Sequence, residues 1–484
     1  MRSADLIALL PLLILTVTSV VVMLAIAIHR SHRLASLLTL IGLVCAFASL
    51  WVARTLTPTE ASPLLVVDSY GLFFLGLIFA ATIVVVLLAY DYLEKQEVNR
   101  EEFYVLLLVA SLGSSVLILS AHFVSFFLGL ELLSVALYSL SAYVFSRERP
   151  LEAGVKYLVL AAGSAAFLLF GMALVYARLG TMQFAQIGGL IDGHNHLLKD
   201  PLILAGMALI VTGVGFKLAV VPFHMWTPDV YEGAPAPVTA YVATVSKGAM
   251  FALLLRFFYQ THGASIGPVF LIFSVIAIAS MLVGNLLALL QSNVKRILAY
   301  SSIAHLGYLL VAFLAGGRWA AQAVGFYLVA YFVTTLGAFG VVTVLSDGQR
   351  DADALGDYQG LFWRRPILAL IFALMLFSLA GIPLTAGFVG KFLLVRAGVS
   401  SALWNLVIIL VVTSVIGLFY YLRVIVALFG PPEQASEAEP ALPVLSVSSG
   451  SVLVALTLLL VWLGVDPSFL LSVIQRAVSS VKFL

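Results

Sequence analysis

The chain has 484 residues, 62% of them hydrophobic and only 10% charged, with a net charge of +2 at pH 7. Soluble domains are about 45–50% apolar and about 25% charged, so a water-soluble enzyme is excluded, and the near-neutral balance gives no reason to expect nucleic acid or an acidic partner. The single cysteine, Cys45, excludes an internal disulfide and any iron–sulfur or zinc site built from cysteines.

The apolar run from Leu6 to Ile28 follows Arg2 and is too long for the core of a signal peptide, with no small-residue cleavage pattern behind it. It is expected to be the first transmembrane helix. Crossing a hydrocarbon core of about 30 Å takes about 20 apolar residues. On that ruler the sequence predicts an all-α polytopic membrane protein with fourteen spans. They fall near 5–28, 34–53, 69–90, 103–120, 122–145, 153–178, 201–230, 236–259, 267–290, 296–315, 319–345, 366–397, 401–429 and 447–465. The spans at 201–230 and 366–397 are expected to be interrupted. The stretches 346–365 and 430–446 read as connectors, and the tail from Pro467 to Leu484 as an amphipathic interfacial helix.

Lys and Arg favour cytoplasmic loops. With the N-terminus outside, twelve fall in inward loops, among them Arg147, Arg149, Lys156, Lys295 and Arg296. Nine fall in outward segments, among them Arg256, Arg318 and Arg396. The bias places both termini on the periplasmic side or its equivalent.

Span 7 carries Pro222 in GFKLAVVPFHMWTPD, and span 12 carries Pro383 in SLAGIPLTAGFVGK, 161 residues later (383 − 222). Spans 4 and 9 begin 164 residues apart (267 − 103). A nearly constant offset over five helices, an odd number, makes matching helices point in opposite directions. That is the pattern of two inverted five-helix repeats, each with a discontinuous helix, known from many secondary transporters. Irregular backbone at membrane depth survives only where protein buries it or water lines it, so each break points to a site.

Four cations lie inside spans: Lys217, Lys247, Lys391 and Arg423. Glu131, in FFLGLELLSVALY, is an acid about nine residues into span 5, about 14 Å deep at 1.5 Å per residue. Lys247, in YVATVSKGAMFALLL, is about 17 Å deep by the same measure, and Lys391 follows the second break by eight residues. A charge at the bilayer centre costs at least about 2.5–3.5 kcal/mol and normally pairs or relays protons. A structural ion pair accounts for any one of them, but hardly for an acid and three lysines at depth with two beside helix breaks. Lysine suits a relay because desolvation and a nearby carboxylate shift its protonation in opposite senses. Glu131 beside Lys217 would form a switch, with Lys247 and Lys391 the next stations.

His224 and His305 are weaker candidates, since a membrane histidine either shuttles protons or hydrogen-bonds a carbonyl. Asp229 and Glu232 are expected at the inner mouth, Arg423 to snorkel, and His122 to mark the turn between spans 4 and 5. Trp51, Trp226, Trp319 and Trp363 read as interface anchors.

The segments FFLGLELLSVALY, GFKLAVVPFHMWTPDVYEGAPAPVTAYVATVSKGAM and QSNVKRILAYSSIAHLGYLL strongly resemble the antiporter-like membrane subunits of respiratory complex I, over roughly residues 65–430. The resemblance implies a fourteen-helix core and a proton path through Glu131, Lys217, Lys247 and Lys391. Residues 1–102 would hold helices 1–3, residues 103–259 and 267–429 the two repeats, and residues 430–484 the last span and tail. Lysine at 391 is unlike the M branch and the matching Mrp antiporter subunit, which usually carry Glu there. The length is unlike the L branch, which continues into a lateral helix, and is similar to the N branch.

The implied role is that of a non-redox, proton-translocating subunit of an NADH:quinone oxidoreductase in a bacterial inner membrane. Its partners would be a neighbouring M-type subunit, small membrane subunits and the lipid bilayer. FMN, iron–sulfur clusters and quinone would belong to other subunits, and no cofactor or metal is expected in this chain, which has no Gly-rich dinucleotide fingerprint. The alternative is an Mrp-type cation/proton antiporter subunit. Sodium would prefer oxygen ligands, whereas this chain offers mostly lysines at depth.

Overall fold

A computed structural model describes residues 3–96, 98–263, 266–431 and 446–479. With no water in the hydrocarbon to satisfy backbone groups, apolar runs close their own hydrogen bonds as helices. Ser3–Ala8 (α1) and Leu10–Ile28 (α2) make the first span and His32–Arg54 (α3) the second. A hairpin of Thr59–Ser62 (β1) against Leu65–Val67 (β2) leads to Ser69–Glu94 (α4), Glu102–Leu119 (α5), Phe123–Ser141 (α6) and Glu148–Leu179 (α7). His122 caps α6 through Nδ1, which accepts from Val124 N at the tight turn where it was expected. The hairpin and a surface helix, Phe184–Gly193 (α8), were not foreseen.

Span 7 is two pieces, Pro201–Leu218 (α9) and Trp226–Gly233 (α10). The eighth span runs from Ala236–Tyr241 (α11) through a π-helical turn, Val242–Ser246, into Lys247–Gln260 (α12). Gly267–Leu289 (α13), Val294–Ala315 (α14) and Gly317–Leu345 (α15) follow, then the short Leu361–Arg364 (α16). Span 12 is also divided, into Pro366–Ala380 (α17) and Ala386–Ser400 (α18), at the place the sequence predicts. Trp404–Phe429 (α19), Val447–Val465 (α20) and the amphipathic Ser468–Ser479 (α21) complete the chain. Most of the 430–446 connector and residues 480–484 lie outside the described residues. Thirteen of the described helices are long and apolar enough to cross a membrane, against the fourteen spans expected, and the first piece of the divided span 12, α17, is a shorter apolar helix.

The spans are not equivalent. The central window of Ala236–Gln260 is 100% buried, against 28% for α2 and α7, so the eighth span is the hub of the bundle. Helices α14 and α15, 94% buried, flank it. Their Ser, Thr, Gly and Tyr residues let backbones approach and give polar groups partners across helices.

Two loop assignments are corrected. Arg256, expected in an outward segment, is fully buried in α12. Its guanidinium meets Asp68 in a two-pronged pair, Nη1–Oδ2 and Nη2–Oδ1 both at 2.8 Å, while Nε donates to the Ile118 carbonyl at 3.1 Å. Asp68 also caps α4 by accepting from Gly71 N at 2.7 Å. Lys295, expected in an inward loop, is likewise buried and donates to Asp351 and to the Ala234 carbonyl, each at 2.7 Å. In both cases the side chain reaches back from the helix end to a partner fixed by another helix or connector, which local sequence does not reveal.

Candidate functional site: a buried polar axis

Glu131 and Ser134 stand three residues apart on α6 and share one face. Lys217, buried in the last turn of α9, donates from Nζ to Ser134 Oγ at 2.9 Å and to the Tyr157 hydroxyl at 3.1 Å. The helix stops two residues on. Ala219 is left-handed at φ 61°, its N–H and that of Val220 turn back to Phe216 and Gly215, and the carbonyl of Phe216 also accepts from Trp226 Nε1 at 3.0 Å. A cation in the last turn faces the partial negative charge of the helix C-terminus. The chain therefore breaks where the lysine is most useful.

Glu131 and Lys217 are not in direct contact, and the expectation for Trp226 is corrected. Among the described residues no carboxylate stands within the 4.0 Å ion-pair distance of Lys217 Nζ, so the direct Glu131–Lys217 pair is not formed. The Ser134 hydroxyl, one turn from a half-buried Glu131, takes the ammonium in its place. Trp226 is not an interface anchor. It is buried and stacks on Tyr157 at 4.6 Å and 9°, because its indole N–H finds an acceptor in the broken helix. Trp51, Trp319 and Trp363 are exposed.

Tyr157 also interacts with Ser246, the residue before Lys247. Lys247 follows the π-helical turn, a feature that often marks functional positions. It donates to Ser302 Oγ at 2.6 Å and lies 5.1 Å from the centre of the Tyr231 ring. Ser302 also accepts from the Tyr331 hydroxyl at 2.8 Å. One turn along α14 is His305, with Nδ1 at 2.7 Å from the Tyr327 hydroxyl and Nε2 at 3.2 Å from that of Tyr421. His305, Tyr327, Tyr331 and Ser378 line a cavity of about 10 Å³ that reaches the second helix break. That is the threshold for holding one water.

Lys391, on α18, points back at the end of α17. Its Nζ donates to the Ala380 carbonyl at 2.9 Å and sits 5.3 Å from the Tyr308 ring centre. The break needs glycine twice. Gly381 adopts φ 87°, and a Cβ on Gly387 would fall 1.9 Å from the Ser378 carbonyl oxygen.

Of the residues singled out from sequence, Lys217, Lys247, His305 and Lys391 thus lie along one polar axis, with Glu131 at its edge. His224 does not join it. It is buried in the turn between α9 and α10, and its Nδ1 has no hydrogen-bond partner among the described residues. Asp229 and Glu232 both lie on α10 and pair with Arg296, at 2.9 and 2.8 Å. Asp229 also takes Lys156 at 2.8 Å. Asp229, Glu232, Arg149, Glu152 and Lys156 line a cavity of about 130 Å³. Arg423 donates to the carbonyls of Leu289 and Gln291, at the C-terminal end of α13 and in the turn that follows it.

Sequence reasoning missed the hydroxyls. Ser134, Tyr157, Ser302, Tyr327 and Tyr331 make the contacts between the charged stations, and the available signal was their spacing. Ser134 follows Glu131 by three, Ser302 precedes His305 by three, and Tyr327 and Tyr331 are four apart, each on a shared helix face.

Residues 120–417 match the family described as NADH:quinone oxidoreductase/Mrp antiporter, transmembrane. The chain belongs to that family. Over 490 aligned residues it is 54% identical to the NADH-quinone oxidoreductase subunit N of Nitrosospira multiformis, covering 98% of this chain and 96% of the relative. Among solved structures it resembles a chain of respiratory complex I from Thermus thermophilus, with a TM-score of 0.80 and 34% identity over 96% of this chain and 98% of the other. A chain of the Mrp complex of Dietzia superposes with a TM-score of 0.86 at 20% identity, covering 99% and 97%. A chain of an archaeal membrane-bound sulfane sulfur reductase gives 0.83 at 21%, covering 98% and 97%. The last two likenesses concern the antiporter-like fold alone.

Proposed function

We propose that this chain is the proton-translocating membrane subunit of a redox-driven NADH:quinone oxidoreductase, working in a bacterial inner membrane beside an M-type neighbour and small membrane subunits. Both termini would be periplasmic. FMN, iron–sulfur clusters and quinone would be held by other subunits, and this chain would do no redox chemistry. The sequence likeness to subunit N favours this reading over an Mrp-type antiporter, whose likeness extends to fold. The two segments around the helix breaks would be the discontinuous helices of inverted repeats over 103–259 and 267–429.

The observation that carries the mechanism is the alternation of lysines with hydroxyls along the axis. A hydroxyl donates and accepts at once, so Tyr157, Ser302 and Tyr331 can pass a proton between groups that do not touch. Among the described residues none of the three axial lysines has a carboxylate within ion-pair distance. An ammonium with no fixed counter-ion is free to give up its proton when the field around it changes. Glu131 would supply that change at one end through Ser134 and Lys217. The proton would then pass by way of Tyr157 and Ser246 to Lys247, and by Ser302, Tyr331 and His305 toward Lys391.

The test is the number of protons moved per quinone reduced, in the intact complex reconstituted in vesicles. Glu131→Ala and Lys217→Ala are expected to abolish or strongly reduce that ratio while assembly persists. Near-normal ratios in both would remove the relay.

A further inference from the structure

At the end of the bundle that carries the α14–α15 turn and the tail, a cavity of about 210 Å³ opens between α15, α18 and α21. Trp319, Gln322, Leu393, Arg396, Ser400 and Leu471 line it. That volume is roughly seven times the share of one water in the liquid, enough for a phosphodiester and part of its glycerol. The roof is fixed by protein, since Gln322 Nε2 donates to the Leu471 carbonyl at 3.1 Å and ties α15 to the amphipathic helix.

The chemistry of the cavity is cationic. Arg396 lies 5.1 Å from the Trp319 ring centre and has no hydrogen bond or carboxylate partner among the described residues. Stacking orients a guanidinium without using its N–H donors, and a planar donor fork matches phosphate oxygens. Arg318 and Arg476 are exposed on the elements that form the same end of the bundle. Exposed Trp319 fits the headgroup level, where tryptophan prefers to sit. Below Arg396, at four-residue steps on α18, Phe392 and Phe388 are 59% and 39% exposed and continue an apolar strip toward the membrane centre. A cation at the interface above a column of aromatic residues fits one amphiphile, with an anionic head and an acyl chain.

We propose that this cavity is a binding site for an anionic phospholipid, whose phosphate is held by Arg396 and whose acyl chain follows Phe392 and Phe388. The site is separate from the polar axis and does not depend on the proton path. Because α18 also carries Lys391, the lipid would steady the second half of the broken span from its interfacial end.

The experiment uses the intact, detergent-purified complex, stripped of lipid and offered dioleoylphosphatidylglycerol or dioleoylphosphatidylcholine, with retained lipid counted by native mass spectrometry. The wild type is expected to keep the anionic phosphatidylglycerol roughly fivefold better than the zwitterionic phosphatidylcholine, as for one basic group near an anionic surface. Arg396→Gln should lose that preference and Arg396→Lys should keep much of it. Equal retention of both lipids by the wild type overturns the proposal whether or not any variant assembles. An unchanged preference in Arg396→Gln overturns it too. If soluble glycerol phosphate displaces the lipid at equal concentration, the site is for a free anion and the lipid assignment fails.

Discussion

Lys391 Nζ donates to the carbonyl of Ala380, 2.9 Å away, across the break in its own span. The ammonium thus satisfies a carbonyl that the interrupted helix leaves without an intrahelical partner. The same lysine is both a cap for α17 and the far station of the proposed path. Lys391→Arg separates the two roles, since a guanidinium keeps the charge but stays protonated with a pKa above about 12. Arg is expected to block pumping almost as fully as Ala while the complex assembles. An active Arg variant beside a dead Ala variant would make Lys391 scaffolding.

Ser302 is the only described hydrogen-bond partner of Lys247, and it receives Tyr331 on its other side. Ser302→Ala is expected to slow proton transfer about tenfold, the equivalent of about 1.5 kcal/mol for a hydrogen bond to a charged group. Ser302→Thr should retain most of the rate. Proton uptake measured in vesicles against quinone turnover separates transfer from catalysis elsewhere. Equal pumping in the Ala and wild-type complexes would show that the hydroxyl is not in the path.

Asp68 and Arg256 pair in the core, away from the axis, and their role is expected to be structural. Breaking a buried pair by removing one partner costs about 3–5 kcal/mol, whereas replacing both by apolar residues is often neutral. Asp68→Leu alone or Arg256→Met alone should lower the thermal midpoint and the yield of assembled complex. The double variant should recover most of that loss, less the helix cap that Asp68 supplies. Additive losses in the double variant would refute a simple pair.

The proposed topology puts the connector near Asp351–Arg365 in the cytoplasm and the C-terminus on the opposite side. A reporter inserted at the connector and another fused at the C-terminus test it directly. Both reporters on one side would require an odd shift in the number of crossings and would end the inverted-repeat reading.

Much of this protein was written locally. The thirteen membrane-length helices follow from apolar runs matched to membrane thickness, and the two breaks from PFHMWTPD and GIPLTAGF, because glycine and proline act on the backbone at their own positions. The depth of Lys217, Lys247 and Lys391 follows from counting along a helix. Tertiary structure alone decided what those charges touch. Ser134 rather than Glu131 receives Lys217, and Arg256 and Lys295 turn inward to Asp68 and Asp351, 188 and 56 residues away. Trp226 stacks inside the bundle instead of lying at its edge. Serine and threonine carry little signal in an apolar segment, since their hydroxyls are as easily satisfied by a carbonyl four residues back, as Ser111 and Thr334 are, and a tyrosine hydroxyl as easily by a carbonyl of another helix, as Tyr70 is. Only the packing of α6, α7, α9, α12, α14 and α15 around one line determines which hydroxyls bond a backbone and which bond a lysine.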